Sequence, residues 1–191
     1  VSVDVTRAAA LSAGRIIAEV NPNMPCTGPE SGIPLDRIDA LVEVDLPVIE
    51  YEHPAVGEAA RQIARYVAHL IGDGATLQVG PGRVPNEMLR FLEERRGLRI
   101  HSDLLTDPVV DLVAKGVVSG PVRGSFAMGT RRLYDFLDGN PEATLAPRHC
   151  ATVGRSLCDR HAPVMQRSCR VSSFGSGTTT SVRVSSDASD R

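Results

Sequence analysis

The stretch GDGATLQVGPGRVPNEMLRFLEERR, residues 72–96, decides how the whole chain is read. Its Asp73-Gly74 pair is a turn signal, residues 75–79 form an apolar run with the length of a buried strand, and Gly80-Pro81-Gly82 breaks that run. Pro85 suits the first turn of a helix, where its missing N–H costs nothing. Met88, Leu89, Phe91 and Leu92 then recur at helical spacing up to Arg95-Arg96, a cationic last turn stopped by Gly97. A strand that enters a glycine loop and leaves as a helix points backbone N–H groups and the positive end of a helix dipole at one spot, which suits an anion. A tight strand-to-helix turn without a ligand carries the same Gly-x-Gly pattern, so the motif alone leaves both readings open.

Outward from this stretch the chain alternates. Residues 1–6 read as a strand, 7–13 as an alanine-rich helix stopped by Gly14, and 15–20 as a second strand, which argues a parallel α/β layer. Asn21-Pro22-Asn23-Met24-Pro25 is then an irregular loop at the carboxyl end of a strand, where open α/β sheets bind ligands. Residues 27–36 are a Gly, Pro and Ser loop, and 40–45 a third strand. The extended run 48–54 reads as a solvated connector, with Glu50 and Glu52 on one face and His53 on the other. Residues 55–71 are the clearest helix, with Val56, Ala60, Ile63, Val67 and Leu70 on one apolar stripe and Glu58, Arg61, Gln62 and Arg65 away from it.

Downstream, residues 98–102 form a strand that brings His101 and Ser102 to its end, where they line a pocket or serve the structure alone. Asp107 caps a helix with Pro108 at its first position, running to Lys115 and stopped by Gly116. Short strands at 117–119 and 125–128 are joined through Gly120-Pro121. Gly129-Thr130 then opens a helix over 131–137, so a strand again leaves through glycine into a helix amino terminus. A second anion site and a plain helix start with solvated arginines both fit it.

The composition excludes several function classes. With 191 residues, 42% of them hydrophobic, the chain can bury a core. Its net charge of −2 and pI of 6.2 give no support for a nucleic-acid partner. No apolar run approaches the ~18 residues of a membrane span, and no charged-then-apolar leader is present. The expectation is a cytoplasmic protein with neither membrane nor nucleic-acid partner. None of Cys26, Cys150, Cys158 and Cys169 forms a C-x-x-C pair and their spacing fits no zinc template, so free thiols and no metal site are expected. Residues 151–191 contain no Lys and no Glu and are dominated by Ser, Thr and Arg, a composition expected to be disordered.

Four blocks in one order carry a resemblance: AEVNPNMP at 18–25, GDGATLQVG-x-G-x-VP at 72–85, IHSDLLTDPVVDLVAKGVVSG at 100–120 and SFAMGTRRLYDFLDGNP at 125–141. Together they resemble the acetyl-CoA hydrolase/transferase family, which includes acetate and 4-hydroxybutyrate CoA-transferases. The resemblance implies an α/β fold of parallel-sheet CoA-transferase-type domains. Residues 1–71 would be the end of the N-terminal domain, 72–150 the start of the C-terminal domain, and 151–191 a low-complexity tail. It also implies acyl-CoA transfer or hydrolysis with acetate or another short carboxylate, a coenzyme A thioester as substrate with no tightly bound cofactor, and a homo-oligomer if the full-length protein is made. On this reading the substrate and CoA pocket draws on Asn23, Met24, Gly80, Gly82, His101, Gly129 and Thr130.

The implied mechanism needs a glutamate that attacks the thioester. Glu43-Val44-Asp45-Leu46 reproduces the first letters of the family's nucleophile block, but Pro47 follows it and it lies upstream of the glycine loop, whereas the family's nucleophile lies far downstream. Glu43 therefore reads as an ordinary strand carboxylate. The last glutamate is Glu142, so no catalytic residue is assigned and the isolated chain is expected to be inactive. Three further departures touch the pocket: Cys26 stands where the family more often has arginine, Pro81 where it has Ile, Leu or Val, and Arg99 where Gly is usual. A dinucleotide-binding α/β enzyme is the runner-up, disfavoured because the Gly80-x-Gly82 loop lacks the third glycine. A non-catalytic binding or assembly fragment is the third reading. Val1 stands where an initiator Met would, and the resemblance stops abruptly around residues 145–149, so a fragment is expected, with either a shifted reading frame or a truncated gene behind the change. Resequencing the coding DNA should then reveal family-like sequence in another frame past codon 148, and finding none refutes the shift.

Overall fold

Every strand ladder among the described residues, which are 1–3, 5–147 and the backbone of 180–182 of a computed structural model, is parallel. The chain passes through α1 (Thr6–Ser12), β1 (Ile17–Val20), β2 (Ala40–Glu43), α2 (Glu58–His69), β3 (Thr76–Leu77), α3 (Arg83–Leu89) and β4 (Leu98–His101). It continues through β5 (Leu104–Leu105), α4 (Asp107–Ala114), β6 (Val118–Gly124), β7 (Phe126–Ala127), α5 (Arg131–Leu137), β8 (Ala143–Leu145) and β9 (Thr180–Val182). The main sheet has the order β3-β4-β6-β8, a second sheet β2-β1-β9, and β5 pairs with β7. The α/β expectation holds. β9 gives three residues of the segment expected to be disordered a strand, and the remainder of 151–191, with Cys150, Cys158 and Cys169, lies outside the described residues.

The main sheet is a regular array of short units. Thr76 pairs with Arg99, His101 with Arg123 and Arg123 with Thr144, so strand plus helix repeats about every 22 residues. Helices of only seven or eight residues make so short a unit workable. One face of the sheet is apolar: Leu77, Leu98, Ile100, Val122, Ala143 and Leu145 are buried there in one core with Leu89, Leu92, Leu112, Leu133 and Leu137 of the helical layer. The alternate residues Thr76, Arg99, His101, Arg123 and Thr144 are exposed or half-buried. A parallel sheet is ordinarily covered on both faces, so this polar second face distinguishes the molecule.

Several elements differ from the sequence reading, each for an identifiable reason. Residues 1–3 join no parallel layer with β1. They run antiparallel beside 125–127, where Val3 N–H donates to the Ser125 carbonyl and Ala127 N–H to that of Val1. Gly120-Pro121 does not separate two strands. It lies inside β6, where the register against β4 slips between Leu98 and Ile100, and that bulge accommodates a proline that donates no ladder bond. α3 begins at Arg83, before Pro85, and ends at Leu89. Turns carry the chain on to Arg96.

The apolar stripe of α2 also turns the other way. Ile63 is 52% and Leu70 85% exposed, whereas Ala64 and Ala68 are buried against the core. Small alanines let α2 approach α3 closely, and the Glu87 carboxylate, largely buried on α3, holds it by accepting from the Arg61 guanidinium at 3.2 Å. Arg90 closes on the same carboxylate at 3.5 Å.

Asp107 does not cap its own helix. Thr106 occupies that position, and the Asp107 carboxylate instead accepts from the Thr130 N–H at 3.1 Å and the Thr130 hydroxyl at 2.6 Å, closing the amino end of α5. Replacing Asp107 by Ala leaves these donors unanswered and is expected to cost about 1–2 kcal/mol, read as a lower urea midpoint for the whole chain.

Candidate functional site

Because the four main strands are parallel, their carboxyl ends share one rim, and the chemistry-bearing side chains gather there. His101 ends β4, Arg123 lies beside it near the end of β6, and Thr144 beside that on β8. Residues in register on parallel neighbours project to the same face, so the three form a row on the polar side. Gly80 and Gly82 lie past the end of β3 at one edge of this rim. Beyond β8, at the other edge, Thr27 accepts from the Leu145 N–H at 2.9 Å. The two loops picked from sequence thus flank the rim about 19 Å apart, taking four strand spacings of about 4.8 Å from β3 to the segment beyond β8.

At the glycine loop, Ser102 proves structural. It is fully buried, and its hydroxyl accepts from the Val79 N–H at 2.8 Å and donates to the Val79 carbonyl at 2.6 Å, tying the exit of β3 to the end of β4. Both polar backbone groups of Val79 are therefore committed to Ser102. Gly80 is exposed with open space where a side chain would sit. Gly82 has φ +148°, a conformation that suits glycine, and serves as the amino-terminal cap residue of α3.

Gly129 and Thr130 carry a different load from the one their pattern suggested. Asp107 already occupies the Thr130 N–H, and Glu50 accepts from the Arg131 N–H at 2.8 Å, so two carboxylates of the chain itself fill the amino end of α5. A Cβ on Gly129 would lie 2.5 Å from an Asp107 carboxylate oxygen, so glycine here is a packing requirement. Glu50 belongs to the run read as a solvated connector. That run is instead a docked strap: Tyr51 N–H donates to the Gly129 carbonyl at 2.9 Å, His53 Nε2 lies 3.3 Å from the Met128 carbonyl, and the Tyr134 hydroxyl donates to Ile49 at 3.0 Å. Paired glutamates beside a histidine gave a signal of polarity, not of this long-range docking.

Asn23 and Met24 are half-buried in the turn after β1. Asn21 and Asn23 anchor that turn to the next segment, Asn21 Nδ2 donating to the Leu46 carbonyl at 2.8 Å and Asn23 Nδ2 to Asp45 at 2.8 Å. Residues 26–28 then run alongside β8, with Cys26 N–H donating to Asp138 at 2.7 Å and its carbonyl accepting from Gly139. Between this segment and the ends of β6 and β8 lies a cavity of about 410 Å³, lined by Cys26, Pro29, Glu30, Arg123, Pro141 and Thr144 among others. Arg123 was missed in sequence. Only the register that sets it between His101 and Thr144 reveals it.

Burial, and then the neighbouring Arg123 cation, push the His101 imidazole below its usual range, against an opposing pull from Asp103. His101 is therefore a neutral imidazole at pH 7. No group of three or more metal-ligating side chains occurs among the described residues, and none of their helices is long and apolar enough to cross a membrane. Substituting Arg123 by Met removes the cation, so the His101 pKa should rise toward its ordinary value in an NMR titration of the ring protons. An unchanged value would separate the two residues electrostatically.

Comparison with known proteins adds an independent line. No family model matches the chain. It is 43% identical over 149 residues to 4-hydroxybutyrate coenzyme A transferase of Clostridium kluyveri, covering 74% of this chain and 35% of that protein. It is 33% identical over 194 residues to the succinyl-CoA:acetate/propanoyl-CoA:succinate CoA transferase of Fasciola hepatica, covering 93% of this chain and 41% of the relative. Among solved structures, 4-hydroxybutyrate CoA-transferase from Porphyromonas gingivalis superposes with a TM-score of 0.71 at 37% identity, over 77% of this chain and 40% of the other. RipA from Yersinia pestis does so with a TM-score of 0.70 at 34% identity, over 75% and 36%. The chain spans between 35% and 41% of the length of the two relatives compared. Sequence identity and a shared parallel α/β fold, over three quarters of its residues, agree that the chain belongs to the CoA-transferase family.

Proposed function

We propose that this chain forms one wall of a site for acyl-CoA transfer, in which a coenzyme A thioester and a short carboxylate exchange the acyl group, or water takes it instead. The observation that supports this reading is the polar carboxyl rim of the main sheet. Arg123 and a neutral His101 stand there beside the loop following Asn21-Pro22-Asn23, in a chain related to CoA-transferases. Thioester exchange needs a nucleophilic carboxylate in a water-poor pocket, donors for the developing oxyanion, and a surface that anchors the remote part of CoA so that its binding energy drives the exchange. Coenzyme A enters as substrate, the proposed setting is the cytoplasm, and residues 1–71 and 72–150 are assigned to successive CoA-transferase-type domains.

In this division of labour the rim supplies the anchoring surface and the attacking glutamate is supplied from elsewhere. Glu43 does not fill that role: it is exposed at the end of β2, in the sheet β2-β1-β9 and not in the sheet that carries the rim row. Glu50 is committed to the Arg131 N–H and Glu87 to two arginines. Calorimetric titration of the purified chain with coenzyme A and with NADH, alongside an acetyl-CoA:acetate exchange assay, tests the proposal. Binding of coenzyme A, no response to NADH and no turnover are expected. NADH binding in place of CoA would overturn the site assignment, and measurable exchange would show that the nucleophile lies within these residues.

A further inference from the structure

The second sheet ends in an open edge. Its order is β2-β1-β9, so β2 pairs with β1 alone among the described residues. The register runs unbroken from Ile17 with Ala40 to Val20 with Glu43. At its two ends Ala40 N–H donates to the Ile16 carbonyl at 3.3 Å and Val44 N–H to the Val20 carbonyl at 3.0 Å. Backbone groups alternate in direction along a strand, so Ala40, Val42 and Val44 turn theirs toward β1. Those of Leu41 and Glu43 turn away from it, and no hydrogen bond to either is found among the described residues. All four β2 residues are exposed, Leu41 to 53% and Val42 to 46%.

An open edge is a template for another strand, and folded chains ordinarily shorten it, cover it, bulge it or guard it with Lys or Pro. The main sheet follows that rule. Its β3 edge has only two residues, and residues 26–28 close its β8 edge, where Leu145 N–H donates to the Thr27 carbonyl at 2.9 Å. β2 uses none of these devices: its four residues, Ala40 to Glu43, include neither Lys nor Pro and pair with β1 without a bulge.

The chemistry of the edge selects what can dock there. Asp39, Leu41, Glu43 and Asp45 alternate onto one face, Ala40, Val42 and Val44 onto the other. Residues 36–45 hold Asp36, Asp39, Glu43 and Asp45 against Arg37 alone, and the Arg37 guanidinium is turned to the Leu11 carbonyl at 3.2 Å. Asp39 and Asp45 accept from the Ile16 N–H and from Asn23 Nδ2, neutral donors that leave both charges in place. A second copy is therefore a poor occupant. Paired antiparallel through Leu41 and Glu43, it would set Asp39 against Glu43, Asp39 against Asp45, or Glu43 against its own copy, and like charges directly opposite are destabilising.

We propose that β2 is a docking edge for an extended segment of another protein in which basic and apolar residues alternate. The segment adds an antiparallel strand, the pairing with the stronger ladder. Its main chain bonds Leu41 and Glu43, its Lys or Arg side chains lie on the face of Asp39, Glu43 and Asp45, and its apolar side chains lie beside Val42. This role is independent of acyl transfer.

The test adds the peptide acetyl-Lys-Val-Lys-Val-Lys-Val-Lys-amide to the full 191-residue chain and follows backbone amide hydrogen exchange by NMR. At saturation the Leu41 and Glu43 amides should exchange about tenfold more slowly, with a smaller change at Val42, whose N–H already faces β1. The same peptide N-methylated at its lysines, whose amides would bond β2, should not bind, whereas methylation at its valines should be tolerated. Replacing its lysines by glutamates should abolish binding. Glu43→Gln should weaken it about threefold, as one exposed ion pair allows. Unchanged exchange at Leu41 and Glu43 with millimolar peptide, or equal binding of the lysine-methylated or glutamate peptide, would overturn the proposal. Concentration-dependent dimerisation in sedimentation that protects the same amides without peptide would overturn it in favour of a second copy.

Discussion

The parallel pairing of β3, β4, β6 and β8 is the constraint from which the rest of the molecule follows. Parallel neighbours need a crossover between them, and here each crossover is a helix of seven or eight residues. All the crossovers return the chain to the same end of the sheet, so every strand also leaves at one rim. Loops with no sequence proximity therefore become neighbours: the segment after β1, the exit of β3 and the ends of β6 and β8. The polar row His101, Arg123 and Thr144 is a product of register, since its members stand about 22 residues apart in the chain.

A set of side-chain clamps holds the units in that register. Ser102 bonds both backbone groups of Val79, Asp107 bonds the backbone and hydroxyl of Thr130, and each bridges one strand–helix unit to its neighbour. Both span 23 residues, close to the repeat itself. Glu87 attaches α2 through Arg61, and Glu50 attaches the extended strap to α5. Ser102 and Glu87 are buried and Asp107 half-buried; polar groups so placed are costly unless partnered, so each of these three clamps specifies one arrangement and penalises a slipped one. The carboxylates at the start of α5 also explain why a helix amino terminus behind Gly129 is part of the scaffold.

The two faces of the main sheet divide the labour. The helical face supplies the closely packed core of Leu89, Leu92, Leu98, Ile100, Leu133, Leu137 and Leu145. The opposite face carries the polar row, with its cation beside a neutral imidazole and the cavity at its β8 edge. Strand register alone sets the order of this row, and the proposed role of the rim in anchoring a coenzyme A thioester draws on it.

The sequence by itself determined the element types around residues 72–96, the α/β class, the helix after Asp107 and the family. These are legible because turn chemistry, helix spacing and ordered motif blocks are local properties. It misplaced the burial of α2: Ile63 and Leu70 outrank Ala64 and Ala68 in hydrophobicity, yet close approach to α3 requires the smaller pair. It also read Pro121 as a break because it could not show the bulge that accommodates it, and it passed over Arg123 entirely. Only the tertiary structure decided which carboxylates cap which helices, which arginine stands in register between His101 and Thr144, and which residues share the rim. The reason is physical: those outcomes depend on strand register and on contacts between residues far apart in the chain, and neither leaves a periodic trace in the order of amino acids.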